Sequence, residues 1–259
     1  MSMRTTLSKD GERATSDPAR FFEQKLKHLG VHSGDVLNAV VGELKILPAV
    51  TRGAHPLRSL EVARKLLVLL DGIACLNRTL KDGGRQLTCF YFGGDVLTVN
   101  GFGSFEKRGL ELGALTTCVF GTIDLDFLNE QLQRHPSLSL AFWRAAMVEI
   151  SVCREWLLNV TRKSAVQRVA HLICEILSRQ EASGISGTSI PLTQLDIADA
   201  AGLSPVHVNR TFQILRARGV LSDTARMVEV TDRGKLEEIG GFDSHYLKMA
   251  VIMSEWDAK

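Results

Sequence analysis

Between Thr122 and Ser183 the chain has no glycine and a single proline, Pro136. A stretch of that length without a hinge or a turn former is most simply a set of helices. After Pro136, Leu138, Phe142, Ala145, Val152 and Trp156 recur at helical spacing, with Glu149 interrupting the stripe. The pattern predicts a helix of about 25 residues, about 37 Å long at 1.5 Å per residue. A second apolar stripe, Ile150, Leu157 and neighbours, gives this helix two faces to bury. One face can pack on the rest of the chain and the other on a twin helix, which predicts a symmetric homodimer. We assign Leu138, Phe142, Ala145, Val152 and Trp156 to the face between copies. The alternative is a monomer whose core helix is buried on two sides. A second helix is expected over about 163–181.

The front of the chain reads differently. Residues 1–18 form a polar lead without an apolar stretch, so no signal peptide is expected and the protein is expected in the cytoplasm. "RFFEQKLKHLG", 20–30, reads as a short amphipathic helix. From 33 to about 127 the segments read as strands, beginning with "HSGDVLNAVVGELKILPAV". "LKDGGRQL" sets Asp82-Gly83 between two alternating runs, a strong hairpin signal. "CFYFGGDV" gives another strand and turn, and "GALTTCVFGTIDL" a further β-rich run. Many short strands at regular spacing imply a barrel or jelly roll. The longest apolar run, "KLLVLLDGIACL", is broken by Asp71 and Gly72 and is too short to cross a bilayer. Five cysteines (Cys75, Cys89, Cys118, Cys153, Cys174) lie scattered without a CxxC pair, as reduced thiols acting as small buried hydrophobes would.

The C-terminal third carries the chemistry. Net charge is only +2, so any affinity for nucleic acid must come from how charge is distributed. "AGLSPVHVNRTFQILRARG", Ala201 to Gly219, holds three arginines and a histidine and no acidic residue. Thr193 can cap a helix from Gln194 to Ala200, and Gly202 suits the left-handed residue that ends it. Ser204 before Pro205 starts a second helix, running to about Arg218. Val208, Phe212 and Leu215, at i, i+4 and i+7, should pack inward against Leu195, Ile197 and Ala198. The opposite face then carries Val206, His207, Asn209, Arg210 and Gln213. This is a helix-turn-helix pattern, and only the major groove of DNA admits such a helix. Arg210 can reach guanine O6 and N7, Asn209 or Gln213 adenine, and Val206 a thymine methyl. His207 and Ser204 stand near the helix start, where phosphate is close. Thr193 and Gln194 should offer backbone N–H groups to phosphate. "GVLSD" and "MVEVTD" flank a turn whose Arg226 could reach the DNA backbone as a wing.

With these elements in place the chain, over about 25–248, resembles the Crp/Fnr family of bacterial transcription regulators. "LVLLDGIACLNRTLKDGGRQLTCFYFGGDV" looks like that family's sensor barrel, and "REWLLNV" with "QRVAHLICEIL" like the end of its dimer helix and the start of its DNA-binding domain. "LTQLDIADAAGLSPVHVNRTFQILRARGVL" looks like its winged helix-turn-helix and is the most specific match. The resemblance implies an α+β fold. A double-stranded β-helix (jelly-roll) sensor would span 20–130, a dimerisation helix 135–160, and a winged helix-turn-helix DNA-binding domain 163–248. It also implies a palindromic operator near promoters, with RNA polymerase as a partner and the two recognition helices about 34 Å apart. Arg210 matches a base-reading arginine of the family, but Val206 stands where its best-known members carry a glutamate, so the operator should differ at that base pair.

Leu112-Gly113-Ala114 occupies the place of the arginine element that holds a cyclic phosphate, and Arg108 lies nearby outside any motif. Without a guanidinium partner the phosphate is poorly held, so cyclic AMP is not expected as effector. The N-terminal cysteine cluster of oxygen-sensing members is missing as well. No spacing supports haem ligation by His28, His32 or His55, "GFGSF" is not a phosphate-binding fingerprint, and no metal or other cofactor is expected. Two competing functions are a metal-dependent, cupin-like barrel enzyme and an adaptor dimer whose winged helix binds protein. The first needs convergent histidines, yet past the 20–30 helix the barrel region has only His32 and His55, without an HxH pair. The acid-free outer face argues against the second.

Overall fold

The computed structural model describes residues 18–54, 64–97, 109–222 and 227–248. His55, GFGSF, Arg108, Arg226 and the polar lead up to residue 17 lie outside these residues. Helix α1, Arg20–His28, buries Phe22 and Leu26, four apart on one face, and carries Lys25, Lys27 and His28 in its last turn, where the helix dipole favours cations. Burying each of those two side chains stabilises the fold by about 1.5–3 kcal/mol. Helix α2, Gly34–Gly42, starts on Ser33, whose hydroxyl accepts from the Val36 N–H at 3.5 Å. This corrects the strand reading of that segment. Val36, Leu37 and Val40 make one helical face, and the N-cap outweighs the β-branched composition.

Among the described residues two three-stranded antiparallel sheets form the jelly roll. One has the order β1 (Lys45–Ile46), β6 (Val119–Asp124), β2 (Lys65–Asp71); the other has β4 (Arg85–Tyr91), β3 (Ala74–Thr79), β5 (Glu111–Ala114). The run read as one β-rich segment is therefore two strands, β5 and β6, in different sheets. The β3–β4 hairpin forms as expected, with Thr79 opposite Arg85. Strand β2 is buried on both sides. Leu67 and Leu69 fill the interior between the sheets, while Leu66, Val68 and Leu70 pack on α1 and α2. In β4 Cys89 and Tyr91 point inward and Phe90 outward, and the register shift opposite Leu76 and Asn77 breaks the alternation so that Leu87 points outward as well. After β4 the chain turns at Gly93-Gly94. Gly94 has φ 91°, and a Cβ there would stand 2.6 Å from the Phe21 carbonyl oxygen, so only glycine lets α1 approach this closely. Asp95 ties the turn to both halves of the chain: it accepts from the Phe92 N–H at 2.9 Å and pairs with Lys25 at 2.8 Å and Arg179 at 3.1 Å.

Helix α3, Leu125–Arg134, is capped by Asp124; α4, Pro136–Arg162, runs for 27 residues. Ser164 and Gln167 form a capping box at the start of α5, Ala165–Ala182. The apolar stripe of α4 assigned to a second copy faces its own chain. Leu138 and Val152 are buried, Phe142 and Ala145 pack on the α1–α2 cluster, and Trp156 meets Phe90 edge to face at 5.6 Å and donates to Glu175 at 3.0 Å. Both stripes have helical spacing, and the aromatic outer face of β4 together with α1 decides which one is covered. The outward side of α4 exposes Trp143 (49%), Ile150 (42%), Leu157 (65%) and Leu158 (53%). Cys153 is also exposed, which departs from the reading of all cysteines as buried; the other four are buried.

The rest comprises β7 (Ser189–Ile190), α6 (Gln194–Ala201), α7 (Pro205–Ala217), β8 (Val228–Glu229), α8 (Arg233–Gly240) and a 3-10 turn, Ser244–Leu247. Strand β7 falls in a segment read as loop. The wing closes through Ser222 N–H to the Glu229 carbonyl at 2.9 Å and Thr231 N–H to the Val220 carbonyl at 3.0 Å. One core joins α5 to α8 with the outer face of the β3–β4 sheet. Among the described residues no helix is long and apolar enough to cross a membrane.

Candidate nucleic-acid interface

Helix α7 begins where Ser204, extended at ψ 153°, accepts from the His207 N–H, with Pro205 in the first turn. Its inner side is set by Val208, Phe212 and Leu215, each at most 2% exposed, with Thr211 beside them. Ile197 and Ala198 of α6 share this core, but Leu195 does not. It is 54% exposed, because position 195 lies on the opposite side of a helix of about two turns whose buried face is Asp196, Ile197, Ala198, Ala200 and Ala201. Gly202, in the left-handed conformation at φ 62°, ends α6 and turns the chain into α7.

The outer side of α7 is open. Val206, His207, Asn209, Arg210 and Gln213 are all exposed, Val206 at 73%. Three of the polar groups on this side form an amide chain. Gln213 Nε2 donates to Asn209 Oδ1 at 3.2 Å, and Asn209 Nδ2 donates to Gln194 Oε1 at 3.5 Å. Asn209 is thereby oriented and Gln194 is drawn to the face as well. Arg210 has no hydrogen bond or ion pair among the described residues. A guanidinium free on a convex, acid-free surface keeps all its donors available for a planar acceptor pair.

The N-terminus of α6 is closed instead. Thr193 and Asp196 form a reciprocal capping box: the Asp196 carboxylate takes the Thr193 N–H at 2.9 Å and its hydroxyl at 2.7 Å. The expectation that Thr193 offers its N–H to phosphate is therefore corrected, since that donor is already spent on a carboxylate of the same turn. Two arginines of the jelly roll reinforce the arrangement. Arg52 bonds Asp196 and the Leu115 carbonyl. Arg85 bonds Asp199 at 2.7 Å and Asp196 at 3.2 Å, and Gln86 reaches the Ala200 carbonyl at 3.4 Å. Burial pushes the Asp196 carboxyl up, but the hydrogen bonds from Thr193 and Arg52 outweigh it and hold it below the usual carboxylate range. The pairing of Thr193 with an acid three residues on is the signal that could have revealed the closed cap. The arginines had no signal near α6 in the sequence.

Other candidate groups are distributed as follows. His28 and His32 are exposed on the α1–α2 side, away from the interior between the sheets. Among the described residues no group of three or more His, Cys, Asp or Glu side chains is placed to hold a metal. Burial pushes the Cys75 and Cys118 thiols up to about 11 and Cys174 up to about 12, so these stay protonated.

Comparison with known proteins agrees with this geometry. The Crp-like helix-turn-helix domain family matches residues 167–239. The transcriptional activatory protein AadR of Rhodopseudomonas palustris is 30% identical over 183 residues, 69% of this chain and 74% of that protein. The nitrogen fixation regulation protein FixK of Azorhizobium caulinodans is 27% identical over 183 residues, 69% and 73% respectively. Among solved structures, FixK2 from Bradyrhizobium japonicum superposes with a TM-score of 0.64 at 21% identity, covering 76% of this chain and 96% of that one.

Proposed function

This chain belongs to the Crp/Fnr family and is a DNA-binding transcription regulator, and we propose that it acts as a homodimer that reads a palindromic operator through α7. The carrying observation is the exposed side of that helix, Val206, His207, Asn209, Arg210 and Gln213, which bears no carboxylate to repel phosphate. Arg210 contacts guanine; Asn209, oriented by Gln213 and Gln194, contacts adenine; Val206 meets a thymine methyl, where a glutamate would have accepted from cytosine. His207 and Ser204 lie by the phosphate backbone, and Arg226 of the wing adds a contact there.

The dimer forms along the outward side of α4. Trp143, Ile150 and Leu157 are spaced seven apart, the repeat of a two-helix seam, and all three are exposed in the single chain. On this reading residues 20–130 are the sensor, 135–160 the dimerisation helix and 163–248 the DNA-binding domain. The protein is cytoplasmic, has RNA polymerase as a partner, does no catalysis and does not take cyclic AMP, since Leu112-Gly113-Ala114 supplies no cation for a cyclic phosphate.

Selection of bound duplexes from a randomised pool tests the proposal. The expected product is an inverted repeat with half-sites about 10 base pairs apart, bound with an affinity that falls steeply with salt. A selected pool without a repeat, or a flat salt response, overturns it. Leu157→Asp should give a monomer in light scattering; an unchanged dimer would place the seam elsewhere.

A further inference from the structure

A cavity of about 520 Å³ lies where the front and back of the chain meet, within the size range of small-molecule sites. Helix α1 and the Gly93-Gly94 turn form one side, α4 and α5 the other. Phe22, Leu26, Phe142 and Val148 supply apolar walls. None of the DNA-reading residues lines it, nor does the Leu112–Ala114 segment.

The polar groups of this cavity are unevenly matched. Arg179 donates through Nη2 to the Phe90 carbonyl at 2.8 Å and to Asp95 at 3.1 Å, and its guanidinium lies over the Phe92 ring at 4.7 Å. Its Nη1 is buried without a hydrogen-bond partner; the Glu175 carboxylate stands 3.7 Å away. Glu175 is itself committed to Trp156 and Tyr246, and burial pushes its carboxyl up toward the neutral form. Asp95 is shared between Arg179 and Lys25. Arg233 is paired with Glu181, and the Tyr91 hydroxyl reaches Glu149 at 3.3 Å. Among the described residues that leaves Lys248, exposed at the rim, as the cation in excess.

We propose that this cavity binds a small amphipathic organic anion, a carboxylate or sulfonate with an aromatic or aliphatic body. The body rests against Phe22, Leu26, Phe142 and Val148, and the acid group sits beside Arg179. Among the described residues the lining sets the cations Lys25, Arg179, Arg233 and Lys248 against the carboxylates Asp95, Glu149 and Glu181, so an anionic group balances the site and is held by charge-assisted bonds. Such a ligand touches α1 and α5 at once and bridges the front of the chain to the half that carries α7. Calling it an effector rests on the proposed function; its binding does not.

The test uses the full-length protein and no DNA. 8-Anilinonaphthalene-1-sulfonate, an amphipathic aromatic sulfonate, should bind with a stoichiometry of one per chain and be displaced by decanoate but not by 1-decanol. Ala145→Phe, which fills the cavity, and Ala182→Trp, which obstructs it from the exposed end of α5, should each weaken binding at least tenfold. Both must keep a cooperative thermal transition, and Ala182→Trp serves where Ala145→Phe does not fold. Ile46→Lys, at an exposed position of β1 outside the cavity lining, should leave probe binding unchanged. Binding that does not saturate at one per chain overturns the proposal. So does competition by decanol equal to that by decanoate, unaltered binding in Ala182→Trp, or loss of binding in Ile46→Lys. A protein that selects an operator yet binds no probe refutes the cavity and leaves the DNA reading intact.

Discussion

Helices α6 and α7 start alike and end in opposite circumstances. Each begins on a hydroxyl residue in extended conformation, Thr193 at ψ 162° and Ser204 at ψ 153°, and each accepts from the N–H three residues on. Around Thr193 the helix end is shut by Asp196 and clasped by Arg52 and Arg85 from the jelly roll. Around Ser204 no such clasp stands among the described residues, and the first turn of α7 is open to solvent. A cap determines where a helix starts. What the remainder of the chain brings to that end determines whether it can meet a ligand.

This contrast can be broken at its base or sharpened at its edges. The largest effect should come from Phe212→Ala, which empties the shared core that sets α7 on α6. It should cost about 3–5 kcal/mol in denaturant unfolding of the C-terminal half and abolish operator binding with it. Next is Asp196→Ala, which removes the cap acid and takes one carboxylate partner from Arg52 and from Arg85. A loss of about 1.5–3 kcal/mol is expected by the same measurement. Because the folded Asp196 carboxyl sits below its ordinary value, its contribution is present above pH about 4 and is lost as pH falls through the folded value. The wild type should therefore lose more stability than Asp196→Ala across that acid range, and parallel pH curves would contradict the clasp. Arg210→Ala should leave stability within about 0.5 kcal/mol and cost about 1–3 kcal/mol in binding the selected operator, with preference relaxed at one base pair. An equal loss on every sequence would reduce Arg210 to a backbone contact. The smallest effect should be Leu195→Gln, within about 0.5 kcal/mol, since that side chain is mostly solvated already. A loss of about 2 kcal/mol or more, the size expected at buried sites, would mean that a second molecule covers α6.

The sequence spoke clearly where the determinants are local. Ser204-Pro205, Gly202 and the Val208–Phe212–Leu215 spacing lie within one short segment, and the structure places all of them as read. The Asp82-Gly83 hairpin was legible for the same reason. Arg85 and Arg52 reach Asp196 across sequence separations of 111 and 144, which no local pattern encodes. Segment 34–42 was misread because its β-branched residues suit a strand while its spacing suits a helix, and packing on α1 settled the contest. On α4 the two apolar stripes were both visible, but which one meets the chain's own β4 depends on the tertiary arrangement alone.

The solitary accessible thiol has a practical consequence. Cys153 lies on α4 between Ile150 and Leu157, while the other four cysteines are enclosed. Burial, helped by Glu149 and Glu175, raises its pKa, so alkylation wants mildly basic buffer. A nitroxide attached there needs no engineered cysteine, and a single dipolar evolution trace on the native polypeptide would report how far apart two central rods lie.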